Sequence, residues 1–448
     1  MPAKPSLSLQ DIQEQAAAAG VEVIQLQFTD IFGTLKHISI TLDHLPTVVD
    51  QGIVFDGSSI EGFARVQESD MYLRPDLSTF AVLPWRTPDG DGIARLLCDV
   101  VTPFGEPFAG CPRAVLKRAV AEAAAAGYVL QAGPEPEFFL FPVGSDGAIR
   151  YKTQDTAGYF DLAPVDQGEN ARNAIVKGLR TMGYHVEASH HEVAPGQHEI
   201  DFRFADALQA ADNLVTFKQV TKAIAHSHGL HASFIPKPLT GEAGSGMHIH
   251  LSLLKDGLPA FQSNGDSTEL SQTGLHFLGG LLYHARAMTA VTNSTVNSYK
   301  RLIAGYEAPI DITWSDRNRS ALVRIPATVV KDDVRMEYRS PDPAANPYLT
   351  LALLLRAGLE GIAQKRDPGP ATKEDTYTFT PSQRQDQGIS LLPESLKEAL
   401  DQMVQSPFVL DTLGDHVYEN FVRAKLLEWD VYRAQVHAWE LDQYLAIL

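Results

Sequence analysis

The sequence predicts a mixed α+β / α/β chain of two domains, a small β-rich N-terminal one and a large one in which strands alternate with long helices. Three observations carry this. The 448 residues exceed what one hydrophobic core usually supports. Short runs of apolar–polar alternation dominate through about Thr102, and clear amphipathic helices begin only after it. Between the two lies TPFGEPFAGCPR, rich in glycine and proline, which sets the boundary between Pro103 and Pro112 and the domains at 1–105 and 106–448.

In chain order, Ser8 to Ala19 reads as a helix. VEVIQLQFTD reads as a strand, and the Gly33 turn with LKHISITL as its hairpin partner. FAVLPW and ARLLCDVV add further short strands, and CPRAVLKRAVAEAAAAG opens a helix. The last segment, FVRAKLLEWDVYRAQVHAWELDQYLAIL, reads as helical throughout, apolar enough to dock on another element or subunit.

A hydrophobic content of 44% and a charged content of 21% are ordinary for a folded soluble protein. The net charge of -18, from 37 basic and 55 acidic residues, argues against non-specific nucleic-acid binding and favours a cation-attracting surface. Cys98 and Cys111 form no CxxC pair, and buried structural roles are expected. The opening MPAKPSLSLQDIQEQAAAAG has no apolar core of signal-peptide type, and no stretch approaches the roughly 18 apolar residues of a membrane span. A cytoplasmic location is expected.

Glu135 and Glu137 stand two apart in LQAGPEPEFFLF, so as a strand it projects both carboxylates from one face. Alone, such a pair fits a solvated strand face as well as a metal site. Yet carboxylates in apolar surroundings are normally paired or metal-bound. EASHHEVAPGQHEIDFRF adds Glu192 and Glu199 around an Ala-Pro-Gly turn, GSGMHIHLSL adds His248 and His250, and VRMEYRSP sets Glu337 between Arg335 and Arg339. Such oxygen-rich donors suit Mg²⁺ or Mn²⁺ better than zinc. NSYKRLIAGYEAP and WSDRNRSALVRIP carry Arg301, Arg317, Arg319 and Arg324 around Glu307. In isolation they fit a solvated charged loop; beside metal carboxylates they fit an anion clamp. There is no GxxxxGK[ST] loop and no kinase HRD or DFG set. The residues themselves lead to a two-metal phosphoryl-transfer enzyme with an anionic substrate.

The same segments resemble a family. VFDGSSIEGFARVQESDMYLRPD, GPEPEFFLF, SHHEVAPGQHEIDFRF, GSGMHIHLSL, NSYKRLIAGYEAP, NRSALVRIP and RMEYRSPDPAANPYL are similar, in order, to the signature blocks of type I glutamine synthetases. The resemblance implies a β-grasp-like N-terminal domain and a catalytic domain whose antiparallel sheet, flanked by helices, lines a funnel. It implies a homo-dodecamer of two stacked hexameric rings, with the loop around Asp56 completing a neighbour's site and the C-terminal helix reaching the opposite ring. It implies ATP, L-glutamate and ammonium as substrates and two or more Mg²⁺ or Mn²⁺ per site. One ion would be held by Glu137, Glu192 and Glu199, the other by Glu135, His248 and Glu337. The nucleotide would meet Glu187, Phe204, His250, Ser252, Arg324 and Arg335, with Arg319 near the transferred phosphate. Glutamate would meet Gly244, Arg301 and Arg339 under a flap carrying Glu307, and ammonium Asp56, Ser59, Tyr159 and Glu192. Asp56, Glu307 and Arg319 would act in the chemical steps.

Departures from the family pattern bear on subtype. GEAGSGMH has Ala243 where Asn is usual, and the flap has Ala304 for Pro. DTYTFTPSQ around Tyr377 lacks the context of the adenylylated subgroup. With EGFARVQESDMYL this resembles the alpha subgroup, in which Arg65 would mediate inhibition by glutamine and a nitrogen-regulatory protein partner is compatible. A γ-glutamyl ligase for polyamines or other amines is the alternative. Those relatives often lack the ammonium-pocket acid and tyrosine, which stand here as Asp56 and Tyr159. A catalytically silent relative would have lost metal ligands, and all six positions hold suitable groups.

Overall fold

The structure, a computed structural model, describes residues 7–60, 62, 70–153, 155–263, 269–328 and 334–448; Arg65 lies outside them. The fold class is the expected one, a small β-rich domain followed by a larger domain of sheet and helices. The first sheet holds β1 (Val21–Thr29), β2 (Leu35–Thr41), β3 (Ile53–Asp56), β4 (Asp70–Pro75), β5 (Ala81–Arg86) and β6 (Gly92–Val101). Its order is β2-β1-β6-β4-β3, with β5 also on β6, and only β1–β6 is parallel. The preceding helix, Leu9–Ala18, starts at a capping box in which Ser8 Oγ accepts from Asp11 N (3.1 Å) and Ser8 N donates to the Asp11 carboxylate (2.8 Å). It buries Ile12 and Ala16, one turn apart, against Ile24, Leu26, Leu96 and the buried Cys98.

The second sheet is built on β7 (Tyr128–Pro142), β8 (Val186–His191) and β9 (Gln197–Phe202), with two short strands, β10 (Ala205–Asp206) and β11 (Leu230–Ser233). It continues through β12 (Met247–Lys255), β13 (Leu258–Pro259), β14 (Asp311–Ser315), β15 (Ala321–Arg324) and β16 (Met336–Tyr338). Its main order is β14-β15-β16-β12-β7-β9-β8, antiparallel except for β14–β15. Period-two alternation positions the chemistry. In β12, Met247, Ile249 and Leu251 are buried in the core, leaving His248, His250 and Ser252 on the other face. The helices Pro112–Ala125 and Ala207–Ser227 pack on β7, and the helices Gln272–Thr292 and Pro347–Gln364 pack on each other behind them.

The two sheets meet through shared core and through charge. Ile31, Leu83 and Leu97 of the small domain bury into the larger core. Arg113, in the first turn after the glycine-rich linker, forms a two-pronged bond to Asp212 (3.0 and 2.9 Å) and reaches Asp99 (2.9 Å) and Asp76 (2.8 Å). Tyr348 Oη also donates to Asp212 (2.8 Å). Arg113→Met would leave Asp212 buried without its cation. The expected cost is about 3–5 kcal/mol, read as a lower denaturant midpoint with catalytic parameters per folded enzyme unchanged. An unchanged midpoint would show that the cluster does not join the domains.

The C-terminal segment departs from expectation. A helix spans Asp415–Arg433, the chain breaks at 434–437, and a second helix runs Ala438–Tyr444. His437 is extended (φ -83°, ψ 150°), and its N–H donates to Glu440 (2.6 Å), which starts a new helix rather than continuing the old one. Trp439, Leu445, Ile447 and Leu448 beyond the break are exposed in the single chain.

Candidate active site

Four strand pairings gather the acidic groups. Glu135 sits opposite His248, Glu137 opposite Glu199, and Glu337 opposite both His250 and Arg324. The Ala-Pro-Gly turn between β8 and β9 folds Glu192 back toward Glu199, with Glu192 N donating to Gln197 O (2.8 Å). Two groups result whose ligand atoms all lie within 4.8 Å: His190, Glu192 and Glu199, and Glu135, His250 and Glu337. These groups hold four of the six expected metal-ligand positions; the other two, His248 and Glu137, lie beside them, His248 near Glu135 and Glu337 and Glu137 near Glu192.

The protonation states follow from the surroundings. Arg335 Nε can only donate, so His250 Nδ1 accepts from it (3.2 Å); the ring proton is then on Nε2, 2.8 Å from Glu135. His248 Nδ1 is 3.9 Å from Glu135 and 3.7 Å from Glu337. Burial, then Arg339 and Arg301, hold its pKa well below the ordinary range, so the imidazole is neutral with a lone pair to give. Glu337 is ion-paired to Arg324 and Arg339; burial opposes its charge, but these cations keep the carboxyl below its usual range.

The other carboxylates behave oppositely. Burial and then Glu192 push Glu137 up to about 8, although Gln197 Nε2 (2.7 Å) and Gly246 N (2.9 Å) donate to it. Burial likewise raises Glu192, and burial and Asp201 raise Glu199 well above the usual value. Gly246 is required by space: a Cβ there would lie 2.6 Å from Arg301 Nη2 and 3.2 Å from both Glu137 and His248. Carboxylates this crowded and dry can all ionise only beside a cation. Oxygen donors with a neutral imidazole fit a hard divalent metal.

Beside this cluster lies a cavity of about 500 Å³ lined by five expected nucleotide residues, Glu187, Phe204, His250, Ser252 and Arg335. Arg203 stands over the exposed Phe204 ring (5.6 Å). Arg324 and Arg319 do not line it; Arg324 faces Glu337, and Arg319 acts electrostatically on Tyr159. Tyr159 stacks on Phe160 (4.0 Å) and meets His190 edge-on (5.6 Å); burial and then Glu192 raise its pKa. Arg301 is buried and gives hydrogen bonds to the carbonyls of Ser340 (2.7 Å), Pro341 (3.2 Å) and Arg339 (3.2 Å). Its Cγ would lie 3.2 Å from a Cβ on Gly244, so the Gly244 backbone rides directly on it. The Ala243 methyl packs on Phe139, Phe141 and Ala194. Glu307 is exposed with φ 59° and acts electrostatically on Glu192.

Asp56 and Ser59 are not brought to this face within one chain. Asp56 ends β3 on the other sheet, where its carboxylate accepts from Ser58 N (2.8 Å) and Oγ (2.6 Å), bonds that lower its pKa. Among the described residues, no charge of the second sheet acts on it.

Two family models match the chain: glutamine synthetase, β-grasp domain, over residues 20–103, and glutamine synthetase, catalytic domain, over residues 109–444. The chain belongs to the glutamine synthetase family. Glutamine synthetase of Clostridium saccharobutylicum is 52% identical over 436 residues, 97% of this chain and 98% of that protein. That of Thermus thermophilus is 52% identical over 439 residues, with 97% and 98% covered. A solved GmaS/ADP complex aligns at TM-score 0.88 and 33% identity, covering 97% of this chain and 99% of that one. The glutamine synthetase β-grasp model spans all six strands of the first sheet, and the catalytic-domain model every strand of the second.

Several residues in the site escape the sequence reading. His190 lies 3.3 Å from Glu192 and 3.8 Å from Glu199. Asp201, raised to about 6 by burial, lines the cavity, and its charge raises Glu199. Gln197 bridges Glu137 and the Gly244 carbonyl (3.1 Å). Behind the hairpin, Asp155, Asp166, His191 and His198 form a buried group that resembles a metal site. Arg172 supplies its positive charge, 2.7 Å from Asp166 and 2.8 Å from His198 Nδ1, and His198 Nε2 lies close against Gly168.

Proposed function

We propose that this chain is a glutamate–ammonia ligase: it joins ammonia to the γ-carboxylate of L-glutamate with ATP, through γ-glutamyl phosphate. The observation that carries this is the β8–β9 hairpin, which sets Glu192 at once in the carboxylate cluster and beside Tyr159. A cation-demanding cluster and a small anionic pocket thus share one residue. Relatives named glutamine synthetase at about half identity along almost the whole chain support the same activity, and the ADP of the GmaS complex suits the adjoining cavity.

A carboxylate is a poor electrophile, so it is first phosphorylated. Divalent metal held by Glu137, Glu192 and Glu199, and by Glu135, His248 and Glu337, would neutralise the meeting anions when bound. His250, Ser252, Glu187, Phe204 and Arg335 hold the nucleotide, with Arg319 and Arg324 toward the transferred phosphoryl group. Arg339 and the Gly244 backbone, braced by Arg301, hold glutamate. Tyr159, Ser59 and Glu192 enclose ammonium, and Asp56 takes its proton. Glu307 covers the acyl phosphate against water. In this reading residues 1–105 of one protomer lend Asp56 and Ser59 to residues 106–448 of its neighbour. The oligomer is a dodecamer of two stacked rings held together partly by the apolar C-terminal helices. No helix among the described residues is long and apolar enough to cross a membrane, which suits a cytoplasmic enzyme.

The direct test is phosphate release from ATP and glutamate with ammonium, methylamine, putrescine or spermidine. Ammonium should exceed each amine by about tenfold or more, the scale at which a compact site rejects one added carbon group. A preference for any amine would move the chain to the γ-glutamyl-amine ligases. For the alpha subgroup, Arg65→Ala should keep turnover but weaken inhibition by glutamine several-fold. Tyr377 should carry no functional adenylylation. Unaltered glutamine inhibition in the Arg65 variant would remove the subgroup assignment.

A further inference from the structure

The flap that carries Glu307 is poorly held by its own backbone. Residues 303–305 are exposed, and Glu307 has φ 59°, the left-handed region that costs a residue with a side chain roughly 1 kcal/mol or more. Its neighbour Tyr306, however, is half-buried, and the Lys237 ammonium sits 3.7 Å from the centre of its ring. That is well inside the distance at which a cation is held by an aromatic face.

Lys237 is itself fixed from three sides. Asn297 grips its backbone, accepting from Lys237 N (2.7 Å) and donating to Lys237 O (3.0 Å). Its ammonium donates to the carbonyl of Glu242, in the loop that leads to Gly244. The preceding carbonyl, Pro236 O, accepts from Ser245 N (2.8 Å) in that same loop. One side chain therefore touches both the loop on the glutamate side and the flap. Glu242 favours its charge, whereas partial burial and the nearby Arg301 oppose it. The Tyr306 face offers compensation for that burial.

We infer that Lys237 is a positioning residue that latches the Glu307 flap through Tyr306 and registers it against the Glu242–Gly246 loop. The inference rests on reading Glu307 as the residue that shields γ-glutamyl phosphate. With the latch loosened, water adds to the γ-carbonyl carbon, the bond from that carbon to the phosphate oxygen breaks, and glutamate, phosphate and a proton leave without nitrogen transfer. The latch therefore governs coupling between ATP use and glutamine formation more than affinity for ATP.

The experiment measures phosphate released and glutamine formed by the full-length magnesium enzyme, with saturating ATP and glutamate, with and without ammonium. Lys237→Met should raise the phosphate-to-glutamine ratio about 3–10-fold, the range expected from losing a partly desolvated cation–π contact, with KM for ATP unchanged. Lys237→Arg should restore most of the coupling, Tyr306→Phe should keep the parental ratio, and Tyr306→Leu should match Lys237→Met. The double variant Lys237→Met/Tyr306→Leu should be no worse than either single one. A parental ratio in Lys237→Met, or additive effects in the double variant, would overturn the latch. Glu307→Gln separates the two readings. If it leaves the ratio unchanged, the shielding role of Glu307 falls; if it raises the ratio while Lys237→Met does not, only the latch falls.

Discussion

Glu192→Ala should lower glutamine formation by well over the ~10²-fold that loss of a metal's outer-shell partner can cost, because in the proposed site it removes a ligand and an ammonium-pocket anion together. The fold should persist, since Glu192 is a source of repulsion in the ion-free chain and its loss relieves Glu137. Near-normal Mg²⁺-dependent turnover in the purified variant would refute the metal assignment. The parent enzyme should show the linked pH effect. The pKa of Glu137 is raised from 4.5 to about 8, so the folded, ion-free chain binds more protons than the unfolded one. Its contribution to stability is therefore lost as pH rises between those values, the reverse of an ion-paired carboxylate. A divalent cation must displace that proton. Mg²⁺ affinity should rise from pH 6 to about pH 8, with proton release on binding measurable by calorimetry in buffers of different ionisation heat. Affinity flat across that interval would refute this protonation scheme.

Asp56→Ala should lower ammonia-dependent glutamine formation by about 10²–10⁴-fold, the usual range for loss of a general base, while leaving γ-glutamyl phosphate formation nearly intact. Ammonium is protonated near neutrality and must lose a proton before it attacks. Hydroxylamine is already neutral there, so it should partly restore product. In one chain the Asp56 carboxylate is exposed, bonded among the described residues to Ser58 and held acidic by that bond. Both features keep it ionised and available to a neighbouring protomer. Equal losses with ammonia and hydroxylamine would show that Asp56 shapes the pocket without moving the proton.

Local signals in the sequence translated well. The β1–β2 hairpin and the Glu192–Glu199 turn close over short spans, where turn residues and alternation suffice. The placing of His248 against Glu135 needs β12 to find β7 across more than a hundred residues, which no local rule encodes. The alternation rule that selected Glu135 and Glu137 would also have selected His190, two before Glu192, and Asp201, two after Glu199. The helical reading of the C-terminus ran past its break because apolar spacing continues through 434–437, and the His437–Glu440 cap is a weaker signal than periodicity. The role proposed for Asp56 comes from resemblance alone, since within one chain its carboxylate meets Ser58 and the packing carries no sign of a partner.

The alternation in β12 has a genetic consequence. His248 and His250 face the site only because Met247, Ile249 and Leu251 face the helices. Exchanging one imidazole removes one donor. Deleting or inserting a single codon in this stretch would rotate every following side chain to the opposite face, setting methionine and leucine where donors belong and imidazole in the core. The strand therefore tolerates changes of spelling far better than changes of length, and lineages should accumulate insertions in the connecting loops while the residue count of this strand stays fixed.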